Sequence, residues 1–527
     1  MSETGYKRTK YAKRRKKPKK LINIIFSQKT TIILLLLLQF AFILVTFGSL
    51  SGHYTYLRVI FTTMSVVLAI LILNTPQNPA YKLAWIIPLM ALPAFTTVVY
   101  ILLNNQPTKR RIKRMYAKKC SETRVLLKTD KALMKRLRQN DPELFKLARY
   151  VDGSGGYPAY EARETVYFRS GEEKFPVLAK KLREARTFIF FEYFIVDDGE
   201  MWGEIMDILI ERAKAGVEIR FLCDGMGSMF TLPARDLKAL RAAGVKCHIF
   251  NKFVPMISTI QNNRDHRKIV VIDGNTAFSG GINIADEYIN RIRRFGYWKD
   301  TGIMITGEAV WNFTVMFLQL WEIISGDCAD YQRYRPSAEQ TGEKKGYVIP
   351  FADSPLDNEN VGKLVYLHMI NSARRYLYIT TPYFIPDNEI MTALELASKS
   401  GVDVRIIMPG IQDKRYIKYL NESYYRELIE IGVKVYEYEP GFIHAKSFLA
   451  DGTDAVVGTI NLDYRSLYLH FECAAYMHET GCIGAIERDM RDMFRDKCRR
   501  IKMEDVQRLS FFSRFASVIL RIIAPLL

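Results

Sequence analysis

The chain has 527 residues, a hydrophobic content of 49% and a formal net charge of +20. These values exclude a disordered protein and leave room for several compact units. The charge is concentrated, with ten Lys or Arg residues in 1–20 and seven more in 109–119. Because these basic blocks flank a long apolar region, they favour lipid headgroups and membrane topology over nucleic acid as the partner.

The first 104 residues are predicted to form a basic cytoplasmic head at 1–30 and a transmembrane segment at 31–104. The run at 31–50 carries no charge, and twenty helical residues are long enough for a hydrocarbon core of roughly 30 Å. Further apolar runs occupy 57–73 and 83–103. The positive-inside rule assigns both basic blocks to the cytoplasm, which requires an even number of spans, so two or three helices stay open.

A basic linker and helical region is predicted at 105–180. Two copies of one α/β unit follow at 181–330 and 347–500, with a polar linker at 331–346. In the first copy, the residue patterns predict strands at 187–196, 217–225 and 245–250, and helices at 200–216 and 234–243.

The second copy repeats this order, beginning with a predicted strand at 375–385. Helix-stop phrases align as AGVEIR at 215–220 and SGVDVR at 400–405. Strands that alternate with helices predict an α/β fold of two pseudosymmetric domains, with mixed sheets flanked by helices and a site at the domain interface.

Each copy carries one long motif. HRKIVVIDGNTAFSGGIN stands at 266–283 and HAKSFLADGTDAVVGTIN at 444–461. His, Lys, Asp, Gly and Asn recur in both with the same spacing. The predicted catalytic residues are therefore His266, Lys268, Asp273, His444, Lys446 and Asp451.

The motif predicts phosphodiester chemistry. Alternation along a strand would point His266 and Lys268 to the same side, and likewise His444 and Lys446. One neutral imidazole can attack phosphorus while the other, protonated, donates to the leaving oxygen, and the two ammonium groups stabilise the added negative charge. The two Asp residues are expected to support the site rather than react, since Asp-Gly is also a turn signal.

Other residues of the motifs are predicted to bind substrate. Two Asn side chains could donate hydrogen bonds to phosphate oxygens, and Gly residues let the backbone approach it. This predicted set is Asn283, Asn461, Gly280, Gly281, Gly458 and Thr459, the last of which stands where the first copy has Gly281. Each imidazole also needs a partner to fix its tautomer, for which Asp300 and Glu472 are the candidates.

Residues 505–527 are predicted to form a C-terminal amphipathic helix. Phe511, Phe515, Val518 and Ile522 fall on one face, while Ser510, Arg514, Ser517 and Arg521 fall on the other. This pattern is typical of an interfacial helix, and packing against the protein core is the open alternative.

These features resemble the phospholipase D superfamily and, within it, the bacterial cardiolipin synthases. The duplicated HxKxxxxD motif carries the superfamily resemblance; FFEYFIVDDGEMWGEIMDILIERAKAG, GGINIADEYINRIRRFGYWKDTG and GTINLDYRSLYLHFE carry the narrower one. The resemblance implies two phospholipase D-like domains without metal or other cofactor. It also implies His266 and His444 as nucleophile and general acid/base, in an order left open. His470 departs from the family, which has Asn there.

The implied reaction joins two phosphatidylglycerols into cardiolipin and releases glycerol through a phosphatidyl-histidine intermediate. The implied location is the bacterial cell membrane, multi-pass, with the catalytic domains on the cytoplasmic side. A phospholipase D-type hydrolase or a phosphatidylserine synthase-like headgroup transferase is the alternative, since the motif does not determine the acceptor. A nuclease and a non-enzymatic scaffold are disfavoured by the apolar runs and the motif pair. Seven scattered cysteines without a CxxC predict neither a zinc site nor a disulfide framework, and no oligomeric state is predicted.

Overall fold

A computed structural model of the chain contains two units. Its described residues are 55–104, 107–252, 259–336, 344–508, 515, 517, 518, 520, 521 and 524. Among them, residues 55–104, 107–110 and 259–260 belong to the smaller unit, and the others belong to the larger unit. The predicted basic head and the first apolar run lie outside the described residues.

The smaller unit contains three apolar helices, α1 Thr55–Leu73, α2 Pro79–Ala91 and α3 Pro93–Asn104. Pro93 has no N–H to continue α2, so the predicted run at 83–103 forms two helices of 13 and 12 residues. At 1.5 Å per residue these helices are only about 20 and 18 Å long. Within the described residues, no helix combines the length and the apolar character needed to cross a membrane. The predicted spans at 57–73 and 83–103 are therefore not confirmed.

The larger unit contains two mixed sheets covered by helices. Its strands, in chain order, are β1 Tyr160–Glu161, β2 Thr165–Phe168, β3 Phe188–Tyr193, β4 Glu218–Asp224, β5 Lys246–Phe250, β6 Arg264–Asp265, β7 Ile269–Ile272, β8 Thr276–Gly280, β9 Tyr297–Lys299, β10 Gly302–Thr306, β11 Tyr347–Asp353, β12 Tyr376–Thr380, β13 Asp403–Pro409, β14 Lys434–Tyr438, β15 Gly441–Ile443, β16 Ser447–Ala450, β17 Asp454–Gly458, β18 His470–His478 and β19 Cys498–Arg500. Its α-helices are α4 Pro107–Thr123, α5 Lys131–Asn140, α6 Pro142–Tyr150, α7 Gly171–Glu184, α8 Glu200–Lys214, α9 Ala234–Ala242, α10 Val310–Ser325, α11 Val361–Ser372, α12 Asn388–Lys399, α13 Arg415–Glu430, α14 Tyr464–Tyr468, α15 Ile483–Asp496 and α16 Met503–Gln507. Of α4, the residues from 111 onward belong to this unit.

The two sheets repeat one strand order. The first sheet runs β2-β10-β8-β7-β3-β4-β5, and the second runs β1-β11-β18-β17-β16-β12-β13-β14-β19. In each, the three strands at the end of the repeated series are parallel, as in β3-β4-β5 and β12-β13-β14. Buried β-branched and aromatic side chains such as those of FIFFEY in β3 explain why these segments form strands. The predicted pair of α/β domains with mixed sheets is confirmed.

Two short strand pairs connect the halves of this unit. Strand β6, just before the first motif, pairs in parallel with the start of β18 in the second half. Strand β15, just before the second motif, pairs in parallel with β9 in the first half. Each histidine motif therefore begins beside a strand of the other half of this unit.

The predicted helix stops are confirmed. Helix α8 ends before Gly216, and α12 ends before Gly401, whose φ angles are +90° and +95°. Glycine adopts this left-handed conformation without the Cβ clash that other residues meet, which lets the chain turn from each helix into β4 and β13.

Some element boundaries differ from the prediction. Strand β2 and helix α7 belong with the first sheet, so that half begins before residue 181. The strand predicted at 375–385 ends at Thr380, because Pro382 cannot donate to a strand ladder. Residues 266–268 and 444–446 precede β7 and β16 instead of lying within them, so the predicted alternation along a strand does not apply there.

The described residues of the C-terminal segment turn their polar side toward α13. The Ser517 hydroxyl donates to the Tyr419 carbonyl at 2.8 Å, and the Arg521 guanidinium lies 2.9 Å from the Glu427 carboxylate. Phe515 and Val518, on the predicted apolar face, are 55% and 62% exposed. Their exposure argues against the alternative in which this face packs into the core.

Candidate active site

The two His-x-Lys tripeptides lie between a strand that pairs with the opposite half and a central strand of their own sheet. The His266 N–H donates to the Phe471 carbonyl at 2.9 Å, and the His444 N–H donates to the Lys299 carbonyl at 2.6 Å. Phe471 and Lys299 directly precede Glu472 and Asp300 in the chain. The cross-pairing that places each histidine therefore also places a carboxylate beside it.

His266 is paired with Glu472. Its Nδ1 lies 2.9 Å from both carboxylate oxygens, and both side chains are buried. The Thr459 hydroxyl also donates to this carboxylate. Phe194 packs edge-on against the imidazole with ring centroids 5.0 Å apart, so the ring is restrained from two sides. The carboxylate on Nδ1 favours the tautomer that leaves the Nε2 lone pair available.

His444 is paired with Asp300 in the same way. Its Nδ1 lies 2.7 Å from Asp300 Oδ2, and both side chains are buried. The rings of Tyr288 and Trp298 each lie 5.7 Å from the imidazole, centroid to centroid. The structure thus places Asp300 and Glu472 where histidine-orienting acids are expected.

The motif lysines curve back onto the histidines. Lys268 Nζ donates to the His266 carbonyl at 2.6 Å, and Lys446 Nζ donates to the His444 carbonyl. Both lysines are buried. A hydrogen bond between hydroxyl groups also links the two halves here, with Thr301 Oγ1 3.2 Å from Ser447 Oγ. The two imidazoles, two ammonium groups and two carboxylates thus occupy a buried region where electrostatic interactions are strong.

Burial determines the ionisation of this cluster. It lowers the pKa of His266 to about 3 and that of His444 to about 4, against the opposing effect of the paired carboxylates. Burial also lowers the pKa of Lys268 to about 8 and that of Lys446 to about 7. Both histidines are therefore neutral near pH 7 before an anion binds.

The carboxylates stay ionised. Burial acts to raise the pKa of Glu472, but its electrostatic interaction and hydrogen bond with His266 outweigh it and hold the pKa below its ordinary value. For Asp300, burial is likewise outweighed by the charge of Lys446 and by the interaction and hydrogen bond with His444, and the pKa is lowered. Each histidine thus lies against a fixed negative charge that stabilises an imidazolium when one forms.

The two Asn residues have different surroundings. Asn283 donates to the Tyr288 hydroxyl at 2.7 Å and accepts from the Ile195 N–H at 3.0 Å. Asn461 is buried, and its Oδ1 has no hydrogen-bond partner among the described residues. Tyr288 also packs against the His444 ring, so Asn283 is linked to the cluster through that tyrosine.

The motif glycines are required by close neighbours in the protein. A Cβ on Gly280 would lie 2.5 Å from the Thr301 carbonyl oxygen, and one on Gly458 would lie 2.3 Å from Ala474 Cβ. A Cβ on Gly281 would lie 2.1 Å from Asp300 Oδ1. Where Gly281 leaves space for one carboxylate, Thr459 supplies a hydroxyl to the other. These contacts account for the glycines without any phosphate.

Asp273 and Asp451 lie away from the cluster, at the turns after β7 and β16. Asp273 accepts hydrogen bonds from the backbone N–H groups of residues 186–188 and from the Thr187 hydroxyl. Asp451 accepts from the N–H groups of residues 374–376. Both turns thus tie the motif strand to the neighbouring strand, a contact that agrees with residues that support the site rather than react.

Sequence reasoning missed two side chains near the cluster. Lys174 on α7 is buried, and its Nζ has no hydrogen-bond partner in the described part of the chain. Burial lowers its pKa to about 8, with Asp300 opposing this and Lys268 reinforcing it. Lys174 stands in an ordinary amphipathic helix, so no signal in the sequence marks it.

The second missed side chain is His470, at the start of β18. Its Nδ1 lies 3.7 Å from Glu472 Oε1, and its ring lies 5.7 Å from the His266 ring. The sequence analysis noted this histidine only as a departure from the family. Among the described residues, His266, His470 and Glu472 form a group whose potential metal-ligand atoms all lie within 4.8 Å of one another.

The chain is similar in sequence to a known protein family and to several of its members. The family model described as cardiolipin synthase, PLD-like domain, matches residues 178–321 and 366–494, the two halves that supply the cluster. Cardiolipin synthase 2 of Bacillus anthracis is 36% identical over 471 residues, which cover 89% of this chain and 91% of that protein. Cardiolipin synthase of Geobacillus kaustophilus strain HTA426 is 36% identical over 493 residues, covering 92% and 97%.

Two further similarities extend the comparison. A Streptococcus mutans protein described as uncharacterized is 42% identical over 456 residues, covering 86% of this chain and 98% of that protein. Among solved structures, phosphatidylserine synthase of Haemophilus influenzae Rd KW20 has a TM-score of 0.54 and 17% identity, covering 72% of this chain and 98% of that one. At this identity the likeness shows the fold alone.

Proposed function

The chain belongs to the cardiolipin synthase family of the phospholipase D superfamily and is a phosphatidyltransferase, and from that premise we propose that it makes cardiolipin. In this proposal it transfers a phosphatidyl group from one phosphatidylglycerol to another and releases glycerol. The supporting observation is the pair of buried His-carboxylate contacts, 2.9 Å for His266–Glu472 and 2.7 Å for His444–Asp300, with a buried lysine beside each.

The first step forms a phosphatidyl-histidine. His266 Nε2 attacks phosphorus, the phosphorus–oxygen bond to glycerol breaks, and His444 donates its proton to the departing oxygen. The lowered pKa of His266 supports its role as nucleophile, because it keeps the imidazole neutral. Glu472, on Nδ1, stabilises the positive charge that the imidazole acquires when it bonds to phosphorus.

His444 must be protonated for this step, although burial lowers its pKa to about 4 in the free site. A phosphodiester anion entering the cluster adds a negative charge and raises that pKa. Asp300 stabilises the resulting imidazolium from the Nδ1 side, at 2.7 Å. In this proposal substrate binding therefore favours protonation of His444, the general acid.

The second step reverses the proton transfer. His444, now neutral, accepts the proton from a glycerol hydroxyl of a second phosphatidylglycerol, and that oxygen attacks phosphorus as the bond to His266 breaks. Lys268 and Lys446 stabilise the extra negative charge on the phosphate oxygens in both steps. Each step balances, because one proton leaves His444 and one returns to it.

Both substrates are lipids, so the proposal also places the enzyme at the bacterial membrane, with its catalytic halves on the cytoplasmic side. The uncharged run at 31–50 and the two basic blocks support it from the sequence. In the smaller unit, Val59 and Leu71 are 58% and 59% exposed, which is typical of a surface covered by apolar material. In the larger unit, the exposed Phe515 and Val518 fit an interfacial contact.

The test is product analysis with phosphatidylglycerol as the only lipid. Purified full-length protein is incubated with vesicles of labelled phosphatidylglycerol, and the lipids and water-soluble products are separated. Cardiolipin and glycerol in equal amounts support the proposal, whereas phosphatidic acid alone would identify a hydrolase. Added serine that diverts the label into phosphatidylserine would identify the other alternative.

The two-step mechanism is tested with His266→Ala and His444→Ala. Both variants should lose turnover, and wild type denatured at neutral pH during turnover should carry a phosphatidyl adduct on His266 that peptide mass spectrometry detects. His248→Ala is the matched control, since His248 packs against Trp321 at 4.8 Å between ring centroids and takes no part in the proposed chemistry. Full turnover in either variant of the first pair would contradict the mechanism.

A further inference from the structure

We propose that His266, His470 and Glu472 bind a single divalent transition-metal ion such as Zn²⁺, and that an ion bound there inhibits the transferase. The inhibitory part rests on the proposed function, whereas the binding part does not. The three residues come from both halves of the larger unit, which β6 and β18 hold together.

The spacing of the three side chains suits a metal ion. Glu472 Oε1 lies 2.9 Å from His266 Nδ1 and 3.7 Å from His470 Nδ1. Each of the three residues offers one ligand atom that lies within 4.8 Å of those of the other two. In a tetrahedral zinc site with bonds of about 2.0–2.2 Å, neighbouring ligand atoms stand roughly 3.3–3.6 Å apart. The two measured separations bracket this range, so small rotations of buried side chains would complete the site.

The donor set is also suitable. Both ring nitrogens of His470 are buried and have no hydrogen-bond partner among the described residues, so metal binding would break no hydrogen bond of that imidazole. Two imidazoles and one carboxylate form the ligand set of open zinc sites, in which water or another small ligand takes the fourth position. One partner of the set, Glu472, would exchange its contact with His266 Nδ1 for a contact with the ion.

The surrounding charge defines which ions bind. Lys268 lies two residues from His266 and donates to its carbonyl at 2.6 Å, so its ammonium opposes a weakly held cation. Ions that form strong bonds to imidazole nitrogen, such as Zn²⁺, Ni²⁺ and Co²⁺, overcome this opposition. Mg²⁺ and Ca²⁺ prefer an all-oxygen shell and should not bind here.

Inhibition follows from the tautomer of His266. A metal ion on Nδ1 displaces the proton that this nitrogen shares with Glu472, and a neutral imidazole then carries its proton on Nε2. Nε2 is the nitrogen that must attack phosphorus, so the bound ion removes the nucleophilic lone pair. No bond to substrate is needed, and a chelator that withdraws the ion restores the original tautomer.

The first experiment measures binding to the full-length protein in detergent, prepared metal-free. Co²⁺ is added to wild type, His470→Asn and the matched control His248→Asn, and visible absorption is recorded. The wild type and the control should develop the intense bands of tetrahedral Co²⁺ at one equivalent, and Zn²⁺ should abolish them. His470→Asn should require at least about tenfold more Co²⁺. Equal titrations for all three proteins would overturn the proposal.

The second experiment measures turnover of phosphatidylglycerol vesicles, with each protein normalised to its own metal-free rate. Zn²⁺ should inhibit wild type and His248→Asn with the same midpoint, EDTA should restore the rate, and Mg²⁺ should leave it unchanged. His470→Asn should need at least about tenfold more Zn²⁺. Equal inhibition of wild type and His470→Asn, or inhibition by Mg²⁺, would contradict the site. If the metal-free wild type forms no cardiolipin, the proposed function fails, and the Co²⁺ spectra still decide on binding.

Discussion

Replacement of Gly281 by Ala should slow the transferase by displacing Asp300. A Cβ at residue 281 would lie 2.1 Å from Asp300 Oδ1, whereas ordinary contacts begin at 3.4 Å. The carboxylate must therefore retreat by about 1.3 Å, which is the difference between these two distances. Its hydrogen bond to His444 Nδ1, now 2.7 Å, cannot keep its length and direction through that movement.

The size of the effect follows from the lost hydrogen bond. A hydrogen bond to a charged group contributes about 1.5–3 kcal/mol. At 1.36 kcal/mol for each tenfold change in rate, kcat should fall by about 10- to 150-fold. The added methyl group also strains a packed interior, so the free energy of unfolding should fall by about 1–3 kcal/mol.

The assay compares kcat for cardiolipin formation and the melting temperature across four variants. Gly153→Ala is the matched control, because a Cβ there would meet nothing within 4 Å, and it should leave kcat unchanged. Asp300→Ala removes the carboxylate that the new methyl group would strike. If Gly281→Ala acts through Asp300, adding it to Asp300→Ala should lower kcat little further.

Two results would refute this reasoning. A kcat for Gly281→Ala within twofold of the wild type would mean that the His444–Asp300 contact is not needed for turnover. A full additional loss of kcat in the double variant would mean that the methyl group acts on something other than Asp300. Gly281 would then have a direct role toward the substrate, as the sequence analysis predicted.

Three further predictions concern pH, the motif aspartates and the C-terminal segment. Lys446 acts in its protonated form and its pKa is lowered to about 7, so kcat/KM should fall as the pH rises from 7 to 9; a flat profile would exclude an essential ammonium. Asp273→Ala loses several hydrogen bonds at a turn, so denaturant titration should show a loss of about 1–3 kcal/mol of unfolding free energy while kcat of the folded fraction stays within about threefold. Replacing Phe515 and Val518 by Asp should weaken vesicle binding in flotation assays, with unchanged solubility and melting temperature; unaltered flotation would argue against the interfacial contact.

The repeated motif was enough to predict which histidines and lysines meet. A duplication with identical spacing implies two equivalent positions related by a pseudo-twofold axis, and the structure brings His266 and His444 into one buried cluster. Asp300 and Glu472 were predicted as their partners from position and resemblance. The sequence alone could not show that each acid serves the histidine of the opposite half, because that depends on the short pairings of β6 with β18 and of β15 with β9.

Other features depended on tertiary contacts that leave no local pattern. Residues 266–268 directly precede the apolar run of β7 and were predicted to share its strand, yet the backbone of His266 bonds to the opposite half and the strand starts at Ile269. Lys174 occupies a helix with ordinary periodicity, and only the packing of α7 buries its ammonium group near Asp300. Asp273 keeps the spacing that the two motifs share and holds a turn together, because its carboxylate accepts hydrogen bonds from the N–H groups of residues 186–188.

The pairing of short strands between the halves also determines when the histidine-carboxylate cluster can form during synthesis. His266 lies 206 residues before its carboxylate partner, and Asp300 lies 144 residues before the histidine that it orients. A ribosome adding roughly 5–20 residues per second needs about 10 seconds or more to cover the longer distance. During that interval His266 has no acid beside it. The nascent chain therefore cannot complete the paired histidine-carboxylate cluster until its second half has emerged.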